Sequence, residues 1–332
     1  MRDAIIECTL VLARNYADMP FPTRMSSEDA ELSLQRMLTA MKAGHEDYSF
    51  LPFSTENNSH TALLAEERLL HRLPNAGRIG GVLISPDHTR SVVANADDHL
   101  HARVCLPGVQ LKEAYISAMS AIQKAGLRYP FAFDPQWGYL TASPSLTGTG
   151  MQSSVLLHLP QTSRSRKASS PEDRGTFTVE KGLRLQPLIS RNSEAAGDLY
   201  LLTNISSMGL SEEDILDALN READLLAEKE AKLLKARLAQ DSGGLLDTVR
   251  RSEGLLKYAY RMSYAEFADC WSGIRTGILS GMLSYDLNDW NRWLIRGADA
   301  HVLRGVDGVK GPVAVSEERC RLIRSYLCRE SD

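Results

Sequence analysis

The sequence predicts an α+β fold in which an antiparallel-rich sheet flanked by helices is followed by a helical C-terminal domain. Three stretches carry this. Residues 131–160, FAFDPQWGYLTASPSLTGTGMQSSVLLHLP, read as strand, Pro/Ser/Gly-rich loop, strand. Phe131, Phe133, Trp137 and Tyr139 are aromatic strand formers, and VLLHLP is a short apolar run closed by a proline. Residues 79–95 read as a hairpin, with GVLIS and SVVAN on either side of a PDHT turn. From Ser211 onward the pattern is helical almost throughout. A chain of 332 residues can bury one large core and a smaller one. QDSGG at 240–244 breaks the long helix and divides residues 1–240 from a helical domain at 241–332.

Taken in order, AIIECTLVLAR (4–14) reads as a strand, stopped by the two prolines of YADMPFPT. Residues 27–47 form a helix capped by Ser26 or Ser27, with acidic residues in its first turn and Leu32, Leu34, Met37, Leu38 and Met41 at apolar positions. TALLAEERLLHR (61–72) makes a second amphipathic helix, on which Arg68 and His71 read as a solvated face. Residues 109–126 form a helix ended by Gly126. QTSRSRKASSPEDRGTF (161–177) has no periodicity and reads as a solvent loop. LRLQPLI (183–189) is a strand, and Ser211 followed by acidic residues opens a long helix with a mixed-charge face.

Composition narrows the function classes. Hydrophobic content of 43% and charged content of 24% are ordinary for a globular protein, and a net charge of −4 does not favour nucleic acid. No apolar run is long enough for a membrane helix. The opening MRDAIIECTL is too acidic for a signal peptide, so a cytoplasmic location is expected. The five cysteines are scattered without a CxxC pair, so neither a metal site nor a disulfide framework is expected.

Six segments recur in a fixed order: LARN…PFP (12–22), NADDHLHARVCLPG (95–108), FD-x-Q-x-GYLT (133–141), SPSLTGTG (143–150), SRNSEAAGDLYLLTN (190–204) and RSEGLL (251–256). Together they resemble bacterial protein arginine kinases of the ATP:guanido phosphotransferase (phosphagen kinase) family. There the segments read roughly SSRIRLARN…PFP, NEEDHIRIQCLFPG, CPTNVGTG followed by an arginine, GEGSEALGNIFQISN and RSYGIL. The resemblance implies the guanido kinase catalytic fold, a C-terminal domain of the dimerisation type, and a set of site positions. Glu194 matches a catalytic carboxylate that holds the guanidinium. Asp97 matches the other carboxylate, one methylene shorter, and Ser143 stands at the cysteine position. Nucleotide positions fall on Thr9, Val11, Arg68, His101 and Gln152, where the family has arginines or, at Arg68, a histidine. Arg191 adds a cation beside the guanidinium site. A phosphoarginine-reading RDxxRA motif falls on Val315–Cys320 and keeps only Arg319.

Guanidinium phosphorylation needs two carboxylates to orient the substrate, and arginines with Mg²⁺ to neutralise the triphosphate. With arginine missing at Thr9, Val11, His101 and Gln152, the resemblance implies a degenerate active site. The expectation is a pseudokinase without a cofactor, a homodimer acting through protein partners such as a kinase adaptor or a chaperone–protease system. The alternative is an active kinase that uses ATP and Mg²⁺ and draws its phosphate contacts from Arg68, Arg78, Arg184 and Arg191. A third reading is a phosphoarginine-binding module.

Overall fold

A computed structural model describes residues 2–43, 47–53, 58–71, 79–167, 179–180, 182–191, 194–304 and 311–329. The architecture is organised on one strand. β1 (Ile5–Arg14) is apolar over nearly its whole length, so both its faces must be covered. It sits inside an eight-stranded sheet with β2 (Ser49–Pro52), β3 (Gly81–Ile84), β4 (Arg90–Ala94), β5 (Leu100–Pro107), β8 (Met151–His158), β9 (Leu183–Pro187) and β12 (Leu199–Asn204), in the order β2-β3-β4-β5-β1-β8-β12-β9. Every adjacent pair is antiparallel. Two small hairpins stand apart, β6 (Phe133–Asp134) with β7 (Gly138–Tyr139), and β10 (Ser190–Arg191) with β11 (Glu194–Ala195).

The period of two sorts β1 by face. Cys8, Leu10 and Leu12 point into the main core with Met37 of α1 (Ser27–Ala43), Ala114 and Ile122 of α3 (Leu111–Gly126), and Leu216 and Leu219 of α5 (Glu212–Gln240). The helix starts follow local chemistry. Ser26 and Asp29 exchange backbone and side-chain hydrogen bonds at α1, and Ser211 and Asp214 form the same box at α5.

After α5, Asp241 accepts a hydrogen bond from the Gly244 amide (2.9 Å) and opens α6 (Ser242–Tyr258). α7 (Tyr264–Leu279), α8 (Leu287–Arg296), α9 (Asp299–Leu303) and α10 (Pro312–Arg329) complete the helical segment. Its core gathers Phe267, Trp271, Ile274, Trp290, Trp293 and Ile323, and it also includes Leu156 of β8 and Leu199 of β12. The sheet and the C-terminal helices therefore share apolar packing. A polar bolt runs beside it. Buried Arg275 donates to His158 Nδ1 (2.9 Å) and Asn291 (2.8 Å), His158 Nε2 meets Ser272 Oγ (2.8 Å), and Ser272 donates to Asp198 (2.8 Å). Burial, with Arg275 alongside, pushes the His158 imidazole well below its ordinary pKa, so the ring is neutral there.

A second fastener joins the N-terminal half to α9. α2 (Asn58–Glu66) ends in Glu66, whose carboxylate accepts from the Ala300 amide (2.7 Å) and the His301 amide (3.1 Å). The His301 ring lies between Glu66 (2.7 Å) and Glu67 (3.3 Å). Burial alone would lower its pKa, but the ring's hydrogen bonds to the two carboxylates raise it to about 9.

Three expectations need correction. Residues 160–167 are helix α4 (Pro160–Lys167), not loop. The buried Glu230 carboxylate accepts from the Gln161 amide (2.6 Å), the Thr162 amide (3.0 Å) and the Thr162 hydroxyl (2.7 Å), which caps the first turn from a distant helix. The remainder of that stretch, 168–177, lies outside the described residues. α2 stops before Arg68, which has φ of +59° and so lies on no helix face. Phe133 and Trp137 are 58% and 48% exposed, because the strand expected there is reduced to a short hairpin arm.

Gly138 has φ of +78°, and a Cβ there would lie 2.5 Å from the Gly148 carbonyl oxygen. Gly138→Ala should cost about 1–3 kcal/mol in chemical denaturation, whereas Ser143→Ala should change stability by less than about 0.5 kcal/mol. The folded pKa of His301, about 9, is above the ordinary 6.5. Its contribution is therefore complete below pH ~6.5 and lost as pH rises through ~9, and at this half-buried site it should amount to about 1 kcal/mol. His301→Gln should flatten that part of the stability–pH curve.

Candidate active-site cleft

The face of β1 opposite the main core carries Glu7, Thr9 and Val11. Pairing register extends this face sideways. Thr9 lies opposite Cys105 on β5 and Ser154 on β8, and Val11 lies opposite Arg103 and Gln152. Ala13 lies opposite His101. Thr9, Val11, His101 and Gln152, scattered over more than 140 residues of sequence, thus occupy one patch of neighbouring rungs. Thr9 and Val11 are buried at 5% and 6% exposure, while Gln152 is exposed. None of the four is a fixed cation.

Two arginines stand at this face, Arg103 on its own rung of β5 and Arg68 from the segment after α2, and both make contacts within the fold. Arg68 forms an ion pair with Glu7. Glu7 also accepts from the Cys105 thiol (3.4 Å), whose pKa is pushed up to about 12 by burial and by the neighbouring Glu7 charge. Arg103 donates through Nε to the Arg68 carbonyl. Burial lowers its pKa to about 10, so it still carries its charge at neutral pH. Sequence reasoning passed over Arg103 and Glu7. The signal was available in strand alternation, since Arg103 is two residues from His101 and Glu7 two from Thr9. These groups border a cavity of about 420 Å³ lined by Thr9, Arg68, Arg103 and Ser154 on the sheet side and Tyr264 and Asp299 from the C-terminal helices.

The turn holding Asp97 is built by its neighbours. Asn95 has φ of +57°, a conformation asparagine tolerates, and its amide donates to the carbonyls of Ala30 (2.8 Å) and Ile79 (2.9 Å). Asp98 is buried. It accepts from Asn15 (2.6 Å), the Ala142 amide (2.6 Å) and His101 (3.0 Å). Burial opposes its ionisation, but these donors hold its carboxyl below the usual range. The Asp98 carboxylate thus ties the end of β1, the Asp97 turn and the loop leading to Ser143 together. Asp97 itself is exposed. Ser143 is half-exposed, and among the described residues its hydroxyl meets only Ser145 (2.9 Å). Arg14 closes the base of the loop, its guanidinium 3.6 Å over the Tyr139 ring and bonded to the Thr149 carbonyl (2.9 Å).

Glu194 and Arg191 are register partners in the β10–β11 hairpin, and their side chains lie outside the described residues. So does Arg78. Arg184 shares a rung with Thr9 through Ser154 and Thr203, three strands away, which is roughly 14 Å at ordinary strand spacing. It does not stand in for the missing arginines. Arg319 is buried and donates to the carbonyls of Gly297 (2.6 Å) and Met262 (2.7 Å) and to Asp299. It fastens α10 to its neighbours, and its donors are turned inward.

Asp98→Ala removes the acceptor shared by the Asn15 side chain, the His101 ring and the Ala142 amide, and it should destabilise the fold by about 1–3 kcal/mol in urea titration. Asp97→Ala, on the exposed side of the same turn, should stay within about 0.5 kcal/mol of the parent.

A family model described as "ATP:guanido phosphotransferase, C-terminal catalytic domain" matches residues 30–233. The chain is 29% identical over 330 residues to a protein-arginine kinase of Halothermothrix orenii, covering 98% of this chain and 93% of the relative. It is 32% identical over 335 residues to a protein-arginine kinase of Brevibacillus brevis, covering 98% and 92%. The crystal structure of a lombricine kinase matches with a TM-score of 0.59 at 18% identity, over 70% of this chain and 68% of that one, which is a likeness of fold. The antiparallel sheet, its helical cover and these matches agree with the expected guanido kinase fold, and the chain belongs to the ATP:guanido phosphotransferase family.

Proposed function

We propose that this member of the family is a pseudokinase that works through protein partners. The observation that carries the proposal is the contiguous patch of Thr9, Val11, His101 and Gln152 on the cleft face. Each lost charge-assisted hydrogen bond is worth about 1.5–3 kcal/mol, so four sum to about 6–12 kcal/mol if the losses add. Micromolar affinity is worth about 8 kcal/mol. Of the cations nearest this patch, Arg68 is neutralised by Glu7, and Arg103 has its Nε committed to the Arg68 carbonyl. A triphosphate with its Mg²⁺ therefore fits these residues poorly, and no phosphoryl-transfer step is assigned to them. Asp97, shortened by one methylene, adds to the deficit, since a displacement of ~1 Å can cost on the order of a hundredfold in rate. The protein acts as a cytoplasmic homodimer that takes the place of an active protein arginine kinase on its adaptor or chaperone–protease assembly.

One observation favours a second reading. Arg103 lies on the same rung as Val11 and Gln152, so an active kinase could use it, with Arg68, in place of the missing arginines. Calorimetric titration with Mg·ATP separates the two. The pseudokinase reading expects no binding at millimolar nucleotide. ATP-dependent phosphorylation of arginine in a protein substrate, abolished by Glu194→Ala, would sink it.

A further inference from the structure

The cavity of about 420 Å³ between the sheet and the C-terminal helices has two unlike ends. Its volume falls within the roughly 300–1,000 Å³ of small-molecule pockets. Leu188, Ile189 and Leu201 line one end, on the β9–β12 side of the sheet. These three also pack against the core of the helical segment, so the wall they form is continuous with it. Arg103 lines the other end, on β5. It stands three strands from Leu201, which is roughly 14 Å at ordinary strand spacing. Between the two ends lies Ser154 of β8, whose hydroxyl has no partner among the described residues.

The fixed charges on this wall are matched in pairs, with one exception. Arg68 is met by Glu7, Asp299 by Arg319, and Glu66 by protonated His301. Arg103 forms no ion pair among the described residues. Its Nε donates to the Arg68 carbonyl, which fixes the plane of the guanidinium, and its Nη1 and Nη2 have no partner among the described residues. A planar fork of this kind takes a carboxylate through two parallel hydrogen bonds. One carboxylate cancels the one unmatched cation. A phosphate dianion would bring a second negative charge to a wall that already carries Glu66 and Asp299, with no further unmatched arginine or lysine lining it. The leucine and isoleucine end favours a hydrocarbon body, which leaves water on entering it.

We infer that this cavity binds a small monocarboxylate with an apolar body, its carboxylate on Arg103 and its hydrocarbon against Leu188, Ile189 and Leu201. Such binding rests on the reading above, because the same cleft must be free of nucleotide. The Mg·ATP titration tests that reading separately. Nucleotide binding sinks the pseudokinase, whereas absence of both nucleotide and octanoate binding sinks only the carboxylate site.

The test is calorimetric titration of the full chain with octanoate, with octanol and octyl phosphate as comparison ligands. Octanoate should bind saturably, and octanol at least about tenfold more weakly for want of the charge-assisted hydrogen bonds. Octyl phosphate, a dianion at about pH 8, should also bind more weakly than octanoate. Arg103→Gln should weaken octanoate at least about tenfold and leave octanol unchanged, a split that mere loosening of the cavity would not give. Ile189→Trp keeps Arg103, fills the apolar end, and should weaken octanoate and octanol alike. It decides the matter if Arg103→Gln loses the parent's circular dichroism spectrum. No binding of octanoate overturns the inference, as do equal binding of octanol, tighter binding of octyl phosphate, and undiminished octanoate binding to either folded variant.

Discussion

The pairing of β1 between β5 and β8 is the constraint on which the rest depends. Ten residues at the centre of an antiparallel sheet must satisfy their backbone through both neighbours and bury both faces. Strand alternation then divides the molecule. Cys8, Leu10 and Leu12 go to the helices, and Glu7, Thr9 and Val11 go to the cleft. A slip of one residue would exchange the two sets, so the cleft's chemistry is locked to the core's packing. The same rungs place His101, Arg103, Gln152 and Ser154 beside Thr9 and Val11.

Charge on the cleft face is partly committed within the fold. Glu7 holds Arg68, and Arg68 offers its carbonyl to the Nε of Arg103. The C-terminal helices close over the same cavity through Tyr264 and Asp299. Glu66 and Glu67 grip His301, and Arg275 grips His158. A buried polar group left without its partner costs about 1–3 kcal/mol, which favours retaining both fasteners together.

Much of the fold was legible locally. The hairpin at 81–94, the boxes at Ser26 and Ser211 and the break at Asp241 all rest on short-range rules of turns and caps. The candidate positions could be placed from motif order, and register brings four of them together. What was not legible depends on contacts distant in sequence. α4 is stabilised by Glu230, far along the chain, and its composition alone read as loop. Arg68 read as part of a solvated helix face because nothing nearby shows that α2 ends and that Glu7 waits across the cleft.

The sequence by itself determined the family, most of the element order and the residue types at the candidate site, because these follow from local propensity, periodicity and motif spacing. Tertiary structure decided which of those residues meet, which cations are already neutralised, and how the helical segment shares its core with Leu156 and Leu199. The physical reason is that burial and ion pairing are properties of surfaces brought together by folding, and no window of sequence contains both sides of such a contact.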